Sequence, residues 1–117
     1  MKGVDTDYAQ FQKAISYGLI GNENGKIKEL VSFLNTHTKS GYRDDAHYVL
    51  GNSYIKTNEN YLALENFDKL ITNFKRSPLV SKAMLKKGLI YYNTDKNEQA
   101  LTTYKTVVKK FPNSAEA

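Results

Sequence analysis

The feature that most restricts how this 117-residue chain can fold is that it repeats itself. Ala46, Gly51 and Tyr54 return 37 residues later as Ala83, Gly88 and Tyr91. The same offset pairs Ala63 with Ala100, Leu64 with Leu101, Phe67 with Tyr104 and Leu70 with Val107. It also pairs Ile71 with Val108, Phe74 with Phe111 and Ser77 with Ser114, so ten positions agree without a gap. Moving back by the same offset finds a more worn copy. Ala9, Phe11, Ala14, Tyr17, Ile27, Leu30, Phe33, Leu34 and Ser40 fall where the pattern asks for them. In that copy Lys26 replaces Ala63 and Ala100, and His37 replaces Phe74 and Phe111. Such a period marks a stacked array whose units bury their apolar faces against their neighbours.

Each unit reads as two helices. Positions 63, 64, 67, 70, 71 and 74 are apolar, as are 100, 101, 104, 107, 108 and 111, a helical period with one buried stripe. The first halves carry a small–small–aromatic pattern, Ala46, Gly51, Tyr54 and Ala83, Gly88, Tyr91. Glycine in mid-helix costs about 1 kcal/mol against alanine. Its recurrence therefore points to close approach of a neighbouring helix backbone. Polar segments at 21–25, 57–60 and 93–97 stop the helices within each unit. Between units come Ser40-Gly41, Ser77-Pro78 and Pro112-Asn113-Ser114, where Ser or Asn is expected to cap the next helix. Six helices are predicted, near 5–20, 25–38, 43–57, 60–75, 79–94 and 97–111.

Composition removes several function classes. The chain has no cysteine, which excludes a disulfide framework, a thiolate zinc site and a cysteine nucleophile. No apolar run approaches the length of a membrane span. Met1-Lys2-Gly3-Val4-Asp5 lacks the apolar core of a secretion signal, so a signal, if the protein is exported, is expected upstream. The net charge is +5, and the excess sits in residues 78–117, where seven lysines face three acids. Lys105, Lys109 and Lys110 form a candidate basic patch, read either as a solvated helix face or as a dock for an acidic partner. With only Arg43 and Arg76 as fork donors, nucleic acid is not an expected partner.

Nothing in the chain spells catalysis. Asp44, Asp45 and His47 lie within one helical turn. The carboxylates are explained by a helix N-terminus and the histidine by a bulky packing position, so no metal or cofactor is expected. No serine sits in a nucleophile elbow, no phosphate-binding glycine loop occurs, and the acids are scattered. The chain is not expected to be an enzyme.

These residues resemble the tetratricopeptide repeat, a 34-residue helix pair with Leu, Gly and Tyr in its first helix and Ala, an aromatic and Pro in its second. Residues 44–77 fit one unit through Leu50, Gly51, Tyr54, Ala63 and Phe67, and residues 81–114 fit the next through Gly88, Tyr91, Ala100, Tyr104 and Pro112. Lys13 and Lys87 depart from the pattern, standing where Leu50 stands. Pro78-Leu79-Val80 would lengthen a first helix, as in bacterial envelope members. The wording of 45–51 and 111–114 is similar to Tol–Pal coordinator and outer-membrane assembly lipoprotein repeats and to long Bacteroidetes repeat proteins. The resemblance implies an all-α, right-handed superhelical solenoid of three helix-turn-helix repeats, at 1–42, 43–80 and 81–117. It also implies a bacterial periplasmic or outer-membrane location. Residues 114–117 correspond to 77–80, which open a helix, so the chain is expected to be a fragment of a longer protein. The last helix is then expected to expose apolar surface that invites self-association.

In tetratricopeptide proteins the first helices line a concave side that holds a peptide. Carried over, those positions are Tyr8, Phe11, Ile15 and Leu19; then Asp45, Tyr48, Asn52, Ile55 and Lys56; then Lys82, Leu85, Leu89, Tyr92 and Asn93. Most are apolar, which fits either a binding groove or packing within the solenoid. The lysine–asparagine clamp of some members is not reproduced, because Phe11 and Ile15 occupy its first-repeat positions. The expected function is a non-enzymatic module that binds a protein or peptide through apolar anchors, with Asn52 and tyrosine hydroxyls meeting backbone groups. The alternatives are a structural spacer within a longer array and a basic surface for acidic partners.

Overall fold

The computed structural model describes residues 6–112. It contains six helices: α1 (Thr6–Leu19), α2 (Glu23–Thr36), α3 (Arg43–Lys56), α4 (Asn60–Asn73), α5 (Val80–Asn93) and α6 (Asn97–Lys110). Among the described residues there is no strand. Each helix has 14 residues, and equivalent helices start 37 residues apart, so the sequence offset is reproduced as a spatial one. Each helix packs on its sequence neighbours, and the body extends over 47 × 28 × 21 Å. The expected start of a further helix at 114–117, and the Ser77–Ser114 match, lie outside the described residues.

The core lies at the junctions between pairs. Ala14, Leu30, Phe33, Ala46 and Leu50 form one buried cluster across α1, α2 and α3. Ala63, Phe67, Leu70, Val80, Ala83 and Ile90 form the other, across α4 and α5. Burying each larger side chain contributes about 1.5–3 kcal/mol. No pair could bury its stripe alone, which is why neighbouring pairs must stack.

The mid-helix glycines are explained by rings. A Cβ on Gly51 would lie 2.6 Å from the Phe67 ring, and one on Gly88 would lie 2.7 Å from the Tyr104 ring. The group that demands glycine is thus an aromatic side chain of the partner helix, not the backbone expected from sequence. The worn first pair keeps the fit with different partners. Ala14 stands at the glycine position and Leu30 at the ring position, both fully buried. Losing ring width makes room for the methyl group.

The turn inside each pair is equally periodic. Gly21, Asn58 and Asp95 occupy the same repeat position and all have positive φ, at 83°, 65° and 64°. Each sits in one hydrogen-bond pattern, with Asn22, Glu59 and Lys96 amides donating 2.8 Å to the carbonyls of Tyr17, Tyr54 and Tyr91. This is the left-handed helix stop that Gly, Asn and Asp tolerate best.

The connections between pairs differ from expectation. Ser40 and Ser77 do not cap helices; their Oγ atoms accept from the amides of Tyr42 (3.0 Å) and Leu79 (3.1 Å), fastening the turn two residues on. Asn22 is a genuine cap and accepts from Gly25 N at 2.9 Å. Pro78 and Leu79 do not lengthen helix α5, because that helix starts at Val80. Proline has no amide to donate and disfavours a helical residue before it, so it stays in the connection. Arg43 closes the end of α2, its Nη1 donating to the carbonyls of Leu34 (2.8 Å) and His37 (3.0 Å). Lys13 and Lys87 each reach a carboxylate, Glu29 at 3.5 Å and Asp68 respectively.

His47 is a packing residue with one polar partner. Asn66 Nδ2 donates to the Leu62 carbonyl at 3.0 Å, which turns its Oδ1 toward His47 Nδ1, also at 3.0 Å. Because that oxygen can only accept, the ring carries its proton on Nδ1. Burial pushes its pKa down; the Asn66 bond opposes this, the charges of Arg43 and Lys69 add to it, and Asp44 opposes it. In the first pair Gln10 occupies this position and meets Glu29 at 3.4 Å.

Two outcomes follow from this packing. Gly51→Ala should destabilise by about 1–3 kcal/mol in denaturant unfolding, because a methyl group is forced into the ring. Adding Phe67→Leu should recover part of that loss, since it rebuilds the Ala14–Leu30 arrangement; strictly additive losses would refute the fit. For His47, the native state disfavours the protonated ring, so its contribution is complete above about pH 6.5 and is lost as the pH falls toward the lower native value. His47→Gln should therefore flatten the fall in stability between pH 7 and 5. Equal slopes for the two proteins would show that the ring is not held neutral.

Candidate functional site

Residues four and seven apart share a helix face, so Tyr48, Asn52 and Ile55 of α3 project to one side of the stack. Ile15 of α1 and Leu89 of α5 arrive on the same side. Together with Val49, Lys26, Lys56 and Lys86, these residues line a groove of about 430 Å³. Its apolar wall is anchored in the core: Tyr48 and Ile55 pack against the α4–α5 cluster, and the Tyr48 ring lies 6.0 Å from Phe67. A wall held this way is pre-formed, so a ligand would meet little ordering cost.

Two features give the groove polarity. The Oδ1 atom of Asn52 is shielded from solvent without a hydrogen-bond partner among the described residues. A buried acceptor left unmade costs about 1–3 kcal/mol. The rim is the second feature. It carries Lys26, Lys56 and Lys86 and no acidic residue. Lys26 is partly neutralised by Glu23 at 3.7 Å, leaving Lys56 and Lys86 to set the potential.

Ile15, Tyr48, Asn52, Ile55 and Leu89, all expected on this side from the sequence, come together here. Others do not. Phe11 stacks on Tyr42 at 5.8 Å and tilts against Phe33 at 5.9 Å, and Tyr8 lies 5.3 Å from Tyr42. These aromatics serve packing within the solenoid. Leu19 and Tyr92 are exposed and Leu85 is half-buried, and none of the three lines the groove. Lys105, Lys109 and Lys110 are exposed on α6, which contributes no residue to it.

The sequence reading missed Val49, Lys26 and Lys86. Lys26 had a visible signal. It replaces Ala63 and Ala100, while Gly18 replaces Ile55 and Tyr92 at the same offset. A Cβ on Gly18 would lie 2.8 Å from Lys26 Cδ, so the missing side chain makes room for the lysine stem. Lys86 lies three residues before Leu89, on the same helix face.

Other cavities have mixed linings. One of about 420 Å³ is bordered by Arg43, His47, Glu65, Asn66 and Lys69, whose first, second and fourth members are engaged as described above. Another, of about 410 Å³, runs along α4 beside Tyr61 and Tyr91, with Glu65, Asp68 and Lys69 on its border. Among the described residues no three His, Asp or Glu side chains converge as metal ligands. Among the described residues no helix is long and apolar enough to cross a membrane.

Residues 82–114 match the sequence profile of the family described as tetratricopeptide repeat. Among curated proteins none matches the chain significantly in sequence. Two crystal structures of MamA, a tetratricopeptide repeat protein, share its fold with a TM-score of 0.74 and 22% identity. The aligned regions cover 94% and 92% of this chain but only 61% and 56% of those structures. The third helix pair thus matches the tetratricopeptide repeat profile, and the three pairs together have a tetratricopeptide-like helical repeat fold.

Proposed function

We propose that this chain is a non-enzymatic binding module whose groove across α1, α3 and α5 holds a short peptide segment with an apolar anchor and an acidic neighbour. The observation that carries this reading is the lining of the groove, where Tyr48, Ile55, Leu89 and Asn52 come together beside Lys26, Lys56 and Lys86. The apolar side chains would exclude water from the anchor, and the Asn52 side-chain amide would hydrogen-bond a ligand backbone group. Lys56 and Lys86 would select a nearby carboxylate, an interaction that weakens as salt rises because exposed charges are screened beyond about 8 Å at physiological ionic strength.

Selection from a random peptide display library tests the proposal without assuming a partner. Recovered peptides should combine a large apolar residue with Asp or Glu. Leu89→Ala and Asn52→Ala should each weaken a recovered peptide by about 1–3 kcal/mol in calorimetry while the circular dichroism spectrum is unchanged. Lys56→Glu with Lys86→Glu should remove the preference for acids. Peptides without shared character, or full affinity in all these variants, would sink the groove reading.

A further inference from the structure

The cavity bordered by α2, α3 and α4 carries a polar set that the stack does not require. Its volume is about 420 Å³, and Val31, Leu34, Leu50 and Leu62 give it an apolar lining beside Arg43, His47 and Lys69. One repeat later the last three positions are Val80, Met84 and Thr106. Val80 belongs to the buried cluster shared by α4 and α5, so the fold closes at that position without a charge. Packing alone therefore does not account for two cations and an imidazole at one junction.

Each of the three has bonding capacity left over. Arg43 uses Nη1 on the end of α2, while its Nε and Nη2 make no hydrogen bond among the described residues. His47 is only 5% exposed; its Nδ1 meets Asn66, and its Nε2 has no partner among the described residues. Lys69 makes no ion pair among the described residues, although Glu65 stands one turn before it and borders the same cavity. Helix α2 contributes no ionisable side chain to the lining, and burial pushes the pKa of Tyr54, the remaining titratable group there, further up. With the imidazole neutral, Arg43, Lys69 and Glu65 leave the cavity with one net positive charge, which suits a monoanion.

The imidazole narrows the choice of anion. With its proton on Nδ1, the neutral ring presents a lone pair at Nε2, which repels an anion that has no hydrogen of its own. A singly protonated phosphate ester satisfies every group: its P–O–H donates to Nε2, and its charged oxygens accept from Arg43 and Lys69. We propose that this cavity binds a phosphate monoester, held by Arg43 and Lys69 with one hydrogen between the ester and Nε2 of His47. The apolar lining would take the organic part of the ester. Burial and the charges of Arg43 and Lys69 push the ring's pKa down, with Asn66 and Asp44 opposing. An anion between the two cations would offset their share and favour keeping that hydrogen in the site. The cavity shares no lining residue with the groove, so either site can fail without the other.

Phenyl phosphate is the probe, titrated into the intact protein while the His47 ring resonances are followed by nuclear magnetic resonance. Affinity should strengthen about fivefold from pH 8 to pH 6, because a phosphate monoester takes up its second proton near pH 6. His47→Met should remove that dependence, and Lys69→Thr should weaken binding about fivefold throughout, the loss of one charge-assisted contact. Both substitutions install the residue found one repeat later, and an unchanged circular dichroism spectrum verifies the fold. Phenyl sulfate, with the same body but no hydrogen to donate, should bind about fivefold more weakly at pH 6. Unmoved His47 resonances at tens of millimolar phenyl phosphate would overturn the proposal. So would full affinity in Lys69→Thr, an unchanged pH dependence in His47→Met, or equal binding of sulfate and phosphate. A phosphotyrosine peptide identifies the source of the ester: tighter binding than phenyl phosphate supports a phosphorylated side chain, and weaker binding supports a small molecule.

Discussion

Everything in this structure depends on how closely the two helices of a pair can approach, and one contact sets that distance. The Phe67 and Tyr104 rings lie against Gly51 and Gly88 at separations that leave no room for a methyl group. Helices held this close present a continuous apolar ridge, which the next pair covers because it has no other way to remove that ridge from water. The recurring left-handed stop at Gly21, Asn58 and Asp95 reverses the chain the same way each time. A local fit and a local turn, each repeated, thereby generate the long-range order of the stack. That order in turn aligns α1, α3 and α5 so that their outward residues form one surface.

The first pair shows that the geometry is selected by volume and not by residue identity. Alanine with leucine replaces glycine with an aromatic ring, and the pair still closes. Lysine at an alanine position is accommodated by glycine at an isoleucine position, and the lysine stem occupies the space released. The ring of His37 takes the place of the equivalent phenylalanines and lies 5.3 Å from Phe33. Each change looks like decay along the chain and like compensation in space. One compensation also has a chemical result, because it brings Lys26 into the groove lining.

Helix number, order and approximate limits were legible because a strict offset and a helical period reinforce each other over the whole chain. What escaped depended on partners distant in sequence. Gly51 reads as a close approach, but its neighbour Phe67 can be named only once α3 and α4 are set side by side. Ser40 and Ser77 look like caps by type, whereas their hydroxyls hold turns. Two thirds of the groove residues were legible from helix-face spacing together with family resemblance. Phe11 and Tyr8 satisfied the same pattern, yet they stack on Tyr42, a residue that no periodicity links to them.

The proposed binding role of the groove follows from this mechanical account: a stack with a fixed spacing would present side chains from three helices without a binding-induced fold. The most direct test is amide shift mapping by nuclear magnetic resonance while the protein is titrated with a peptide that pairs one large apolar residue with an acidic one. The account predicts saturable shifts confined to the neighbourhood of Ile15, Tyr48, Asn52, Ile55 and Leu89, with the Asn52 side-chain amide among the largest. Shifts centred instead on α2 and α4, with Asn52 unmoved, would contradict it.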